Sequence, residues 1–119
     1  MPTARKPPDF LNGVPELVVL RLLSQKPMYG YELIQAIQVA TSRNFAFGEG
    51  CIYPVLHRLE ADGALNGRRE TVQGRSRIVY RVTAKGRGRL EQSAVAWKRS
   101  VEVIQAILSE GNRASPAMA

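Results

Sequence analysis

Cysteine, histidine and tryptophan occur once each in these 119 residues, and acid is scarce: 10 Asp+Glu stand against 17 Lys+Arg. A single cysteine excludes a disulfide within the chain. One cysteine with one histidine leaves no ligand set for a dedicated zinc site. No apolar run approaches the ~20 residues that a membrane span needs. The opening residues MPTARKPPDF lack the apolar stretch of a signal peptide. A cytoplasmic protein without a membrane partner is expected. Catalytic constellations are missing too. No nucleophile has a base at a recognisable spacing, and Gly86-Arg87-Gly88 falls in the start of a helix, not in a phosphate-cradling loop. Neither an enzyme nor a cofactor is expected.

The rest of the composition, 45% hydrophobic and 23% charged, is that of a soluble globule with room for one domain. So small a core leaves roughly a third of the unfolded chain's surface exposed, which favours dimerisation. The net charge of +7 is not spread evenly. Residues 64–90 hold eight basic side chains (Arg68, Arg69, Arg75, Arg77, Arg81, Lys85, Arg87, Arg89) against Glu70 alone, and the segments on either side are neutral. Seven of the eight are Arg, whose fork fits phosphate oxygens better than Lys does. A solvated basic face is one reading. A polyanion partner is the other, since a dense positive patch displaces counterions from nucleic acid.

Periodicity places four helices and a hairpin along the chain. Residues 1–9 form a loose arm. A first helix spans about Pro15 to Ser24 and stops at Gln25-Lys26-Pro27. A second begins near Tyr29, with Leu33, Ile34, Ile37 and Ala40 at helical spacing, and ends at Thr41-Ser42-Arg43-Asn44. Phe45-Ala46-Phe47 is too short to classify alone, a brief strand being one reading. The third helix covers about Gly50 to Asp62. Ile52, Val55, Leu56 and Leu59 make its buried stripe, and Tyr53 and His57 lie away from it. Strands follow over Ala64 to Thr71 and Arg77 to Val82, with 72–76 as the hairpin tip and Tyr80 in the core. The last helix is capped by Thr83 and runs to about Glu110, before Gly111. Its Leu90, Ala94, Trp97, Val101, Ile104 and Leu108 form a heptad seam suited to a partner chain or to its own domain. The domains are thus 1–9 flexible arm, 10–82 DNA-binding domain, 83–111 dimerisation helix and 112–119 flexible tail.

Three helices followed by the chain's one basic cluster are the layout of a winged helix-turn-helix: mostly α, with a small β-hairpin and a long C-terminal dimerisation helix. In that layout the third helix enters the major groove and the hairpin reaches along the backbone or into the minor groove. Candidate DNA contacts are Tyr53, His57 and Arg58 on the third helix, Tyr29 at the phosphate-favouring start of the second, and Arg75 and Arg77 at the hairpin. Gly30 is read as a point of close helix packing.

The sequence resembles the PadR-type transcriptional regulators. The segments that carry the resemblance are Leu11-Asn12-Gly13 with Glu16-Leu17-Val18-Val19-Leu20, then Met28-Tyr29-Gly30-Tyr31-Glu32-Leu33. Gly50-Cys51-Ile52-Tyr53-Pro54-Val55-Leu56-His57-Arg58-Leu59-Glu60 comes next, with Asp62-Gly63 after it. Gly74-Arg75-Ser76-Arg77, Val79-Tyr80-Arg81-Val82-Thr83 and Gly86 complete the set. The single last helix is similar to the short-tailed branch, some of whose members sense drugs. The resemblance implies a homodimeric repressor that binds double-stranded DNA at a pseudo-palindromic promoter site and is often released by a small molecule. Cys51 and Ser76 depart from the family pattern, at positions where a small residue such as Thr and a Pro are expected.

Trp97 carries two readings, a dimer-interface anchor or one wall of a cavity for a flat apolar or cationic effector. The drug-sensing members have Trp there and an acidic residue one turn later, where Val101 stands here. Glu16 or Glu102 is then the candidate counter-ion, though Glu16 also suits its helix N-terminus. Cys51 is either a small packing residue or, through the helix dipole and nearby Arg, a redox-sensitive thiol. A winged-helix module that docks proteins, or binds nucleic acid without sequence preference, is the competing function. Docking needs an exposed apolar patch, which the hairpin arginines do not provide.

Overall fold

The computed structural model describes residues 13–45 and 47–113. The expected arm over 1–9 lies outside them, as do residues 114–119 of the expected tail. The element order is α1 (Val14–Gln25), β1 (Met28–Tyr29), α2 (Gly30–Ala40), α3 (Glu49–Ala61), β2 (Leu65–Val72), β3 (Arg75–Val82) and α4 (Ala84–Arg113). The strands form one antiparallel sheet in the order β1-β3-β2.

Local chemistry accounts for most boundaries. Pro15 sits in the first turn of α1, where its missing N–H breaks no helical bond. At the other end Lys26 is extended (φ −161°, ψ 131°), the conformation imposed on a residue preceding proline. Glu32 accepts the Tyr29 N–H at 3.4 Å at the start of α2. The α2–α3 connection turns through Ser42 and Arg43, both left-handed (φ 52° and 62°). Thr41 Oγ1 ties it back by donating to the Ile37 carbonyl at 2.8 Å. Thr83 caps α4 as expected, its Oγ1 accepting the Gly86 N–H at 3.0 Å.

Several expectations need correction. Phe45–Phe47 is not a strand among the described residues. The rings of Phe45 and Phe47 stack at 5.4 Å, and Phe47 plugs the core at 1% exposure. Burial, not strand pairing, explains these aromatics. The hairpin tip is also tighter than residues 72–76. Only Gln73 and Gly74 turn, both at positive φ (51° and 79°), as the two-residue hairpin loop requires. Both strands therefore extend to the turn, pairing Val72 with Arg75. The two-residue β1 was too short to show periodicity. The last helix passes Gly111 and ends at Arg113, so residues 112 and 113 belong to the helix rather than to a tail.

The core lies where α1, α2 and α3 meet the inner face of the sheet. Leu20, Leu33, Ile37, Ile52, Leu56 and Leu59 are fully buried there with Phe47, and Tyr80 joins them from β3. The buried stripe of α3 is the expected Ile52, Val55, Leu56 and Leu59. Beyond the domain, α4 carries its apolar residues into solvent: Val103, Ile104, Ile107 and Leu108 are each more than half exposed.

Candidate nucleic-acid interface

The helix-turn-helix is α2 and α3, and its two helices are locked by one aromatic ring. Tyr53 is half-buried, and its ring lies over Gly30, the first residue of α2. A β-carbon at Gly30 would stand 2.5 Å from the Tyr53 hydroxyl oxygen and 2.7 Å from Cζ, so only glycine admits the ring. The close packing expected at Gly30 is therefore with a side chain of α3. One turn on, the His57 ring stands 6.4 Å from that of Tyr53 and is exposed. These two residues form an aromatic edge beside the buried stripe of α3.

The wing presents an arginine face. Its register opposes Arg68 to Val79, Glu70 to Arg77 and Val72 to Arg75. With side chains alternating at period two, Arg68, Arg75, Arg77 and Arg81 share one face, to which β1 adds Tyr29 opposite Val79. Arg75 is exposed beside the turn. Arg77 lies inside β3, beyond the turn, with its guanidinium over the Tyr29 ring, 4.5 Å from the centroid. Cation–π attraction holds the guanidinium over the ring, and its Nε is buried there without a hydrogen-bond partner among the described residues. Glu70 pairs with Arg81 at 2.6 Å, the one acid on that face.

Not all eight basic residues of the segment face solvent unpaired. The Arg89 fork engages both carboxylate oxygens of Glu16, at 2.9 Å from Nε and 3.1 Å from Nη2, and its third nitrogen reaches Asp62 at 3.2 Å. Those hydrogen bonds raise the Arg89 pKa above its ordinary value, with burial opposing them. Arg58 also approaches Glu16, at 3.5 Å. The carboxylate of Glu16 thus already faces two guanidinium groups, which an entering cation would have to displace. The sequence does not link Arg89 or Asp62 to Glu16, because 73 residues separate Arg89 from Glu16.

Trp97 is 43% exposed and stands between two grooves. One, of about 330 Å³, runs between Trp97, Ser93 and Ser100 of α4 and Glu16 and Arg58. The other, of about 380 Å³, is apolar and is lined by Trp97, Leu90 and Ala94 with Leu17, Val18 and Leu22 of α1. Val101 is half-buried one turn beyond Trp97, and Glu102 is exposed. Cys51 packs against the core. Burial pushes its thiol above the ordinary cysteine range, and the charge of Arg58 only partly opposes this. That is the environment of a packing residue rather than a reactive thiol.

A three-helix core, a helix-turn-helix and an arginine-faced wing define a winged-helix DNA-binding protein. The sequence profile of the PadR-like transcriptional regulators matches residues 19–92. The chain is 34% identical to a transcriptional regulator of Mycobacterium tuberculosis over 84 residues, 71% of this chain and 76% of that protein. Its fold is similar to a transcriptional regulator from Clostridium thermocellum (TM-score 0.76, 26% identity, 82% of this chain and 96% of the other). It is also similar to a PadR-like regulator from Bacillus cereus (TM-score 0.73, 30% identity, 83% and 95%). The chain belongs to the PadR-like family of transcriptional regulators. Members of that family regulate transcription and are not enzymes, which accords with the lack of catalytic groupings in the sequence. No helix among the described residues is long and apolar enough to cross a membrane.

Proposed function

We propose that the protein is a homodimeric repressor. It holds a pseudo-palindromic promoter site with two copies of α3 in successive major grooves and the two wings along the backbone. A flat apolar or cationic molecule bound beside Trp97 at the dimer interface releases it. The observation that carries the DNA reading is the wing face itself: Arg68, Arg75 and Arg77 lie on one side with no acidic partner among the described residues. The proposed contacts are Arg75 and Arg77 from the wing, Tyr53, His57 and Arg58 from α3, and Tyr29 at the start of α2. Tyr29 and Tyr53 contribute partly by holding Arg77 and the two helices in place.

The dimer reading rests on the unpartnered seam of α4, where Ile104 and Leu108 stand 55% and 65% exposed. Single exposed apolar residues are ordinary; a heptad-spaced row of them is costly unless covered. The effector reading rests on Trp97 as the shared wall of two grooves. Glu16 supports a cationic ligand only if that ligand displaces Arg89 or Arg58. The apolar groove therefore favours the flat apolar ligand.

Fluorescence anisotropy tests the function. A labelled duplex from upstream of the protein's own gene is compared with a shuffled duplex at one salt concentration. A preference of about 10³-fold or more is expected of a specific regulator. Equal, salt-sensitive binding to both would favour the non-specific alternative, and binding to neither would favour protein docking.

A further inference from the structure

Arg89 joins three helices at one guanidinium. Glu16 comes from the first turn of α1, Asp62 is the residue that ends α3, and Arg89 lies in the second turn of α4. The contact with Glu16 is a two-pronged fork, and the remaining nitrogen binds Asp62. Glu16 is mostly shielded, its side chain 19% exposed, and that of Arg89 is 32% exposed. An ion pair of this kind is weak evidence for stability, because desolvation offsets much of the attraction. Its directionality is what distinguishes it: a planar fork held at three points resists rotation of one helix against another, as a point charge does not.

The helices it joins are those whose relative angle matters. The reading helix is α3, and α4 carries the apolar seam toward the second copy. In a dimer built through α4, the α3–α4 angle sets the separation and rotation of the two reading helices. We propose that Arg89 is a positioning residue that fixes this angle and so determines which half-site spacing the dimer accepts. The proposal rests on the homodimer reading above. Adding one base pair between half-sites moves them about 3.4 Å apart and turns them by about 35°, a change that a rigid joint resists and a loosened one accommodates.

The test uses the full chain and a duplex that the parent protein selects from a random-sequence pool. Variants of that duplex have one or two base pairs added or removed between half-sites, and a further duplex holds one half-site alone. Arg89→Lys, Arg89→Met and Glu16→Gln are compared with the parent. The parent should prefer its own spacing by about tenfold or more. The variants should lose most of that preference, keep half-site affinity within about twofold, remain dimeric by sedimentation, and keep the parent's salt slope. A direct phosphate contact from Arg89 would instead lower that slope by about 1. An unchanged spacing profile in folded, dimeric variants would overturn the proposal, as would equal loss on every duplex. Arg89→Lys retains the charge and guards against a variant that does not fold. If the parent itself sediments as a monomer on the duplex, the homodimer reading fails and this one with it. Sedimentation of the parent alone separates that outcome from the others.

Discussion

Two glycines on α4, two residues apart, should respond oppositely to the same substitution. Gly86 is buried, and Gly88 is exposed. Alanine is favoured over glycine in a helix by roughly 0.5–1 kcal/mol, so both changes look stabilising from sequence. At Gly88 a β-carbon meets nothing within 4 Å, and Gly88→Ala should gain about that amount. At Gly86 it would overlap the Ala64 carbonyl oxygen and stand 2.8 Å from Val82 Cγ1 and 3.0 Å from the Ala64 carbonyl carbon. The obstacle is backbone, which no rotamer change relieves. That backbone is also held: Ala64 O accepts the Thr83 N–H at 3.0 Å, and the Ala64 N–H donates to Leu59 at 2.8 Å. Overpacking costs about 1–3 kcal/mol, and moving this junction adds the loss of a buried hydrogen bond, about 1 kcal/mol. We expect Gly86→Ala to lose about 2–3 kcal/mol net, lowering Tm by roughly 10 °C. Gly88→Ala should raise Tm by a few degrees. Thermal and urea unfolding at one fixed protein concentration decide it, since any self-association would make apparent stability depend on concentration. Equal gains at both positions would show that α4 does not approach Ala64 as closely as described.

Other perturbations give further tests. Arg75→Ala should weaken binding to all duplexes alike and lower the salt slope by about 1, read from anisotropy at several salt concentrations; an unchanged slope removes Arg75 from the interface. Arg77→Lys keeps the charge but loses the stacked fork on Tyr29, so affinity should fall with little change in slope. Arg43→Gly relieves a left-handed residue (φ 62°) and should stabilise the domain by about 1 kcal/mol, measured by urea unfolding; a loss would place other constraints on the α2–α3 turn. Burial raises the pKa of Cys51 and of Tyr80, so the folded state retains protons that the unfolded chain releases. Stability should therefore fall with rising pH, from about 8.5 for the thiol and about 10 for the phenol. Cys51→Ala should flatten the first part of that decline, and an equally steep fall in the variant would assign it elsewhere.

What the sequence by itself determined is what short-range chemistry controls. The stripe Ile52, Val55, Leu56 and Leu59 was legible because helical spacing alone puts those residues on one face. Thr83 was legible as a cap, and the +7 of residues 64–90 as a basic wing. The strand register beyond the two-residue turn was not, because Arg75 and Ser76 have no local pattern to mark them as strand. The rest needed the tertiary structure. Tyr53 reads as an outward polar ring on its helix, yet it is half-buried because α2 brings Gly30 beneath it. Arg77 reads as a free arginine of the hairpin, yet β1 places Tyr29 under it. No local spacing links Glu16, Arg58, Asp62 and Arg89, and only the packing of α1 and α4 on α3 converges them. Periodicity reports which face of an element is buried; which side chains meet across elements is decided by how those elements pack, and no local spacing encodes that.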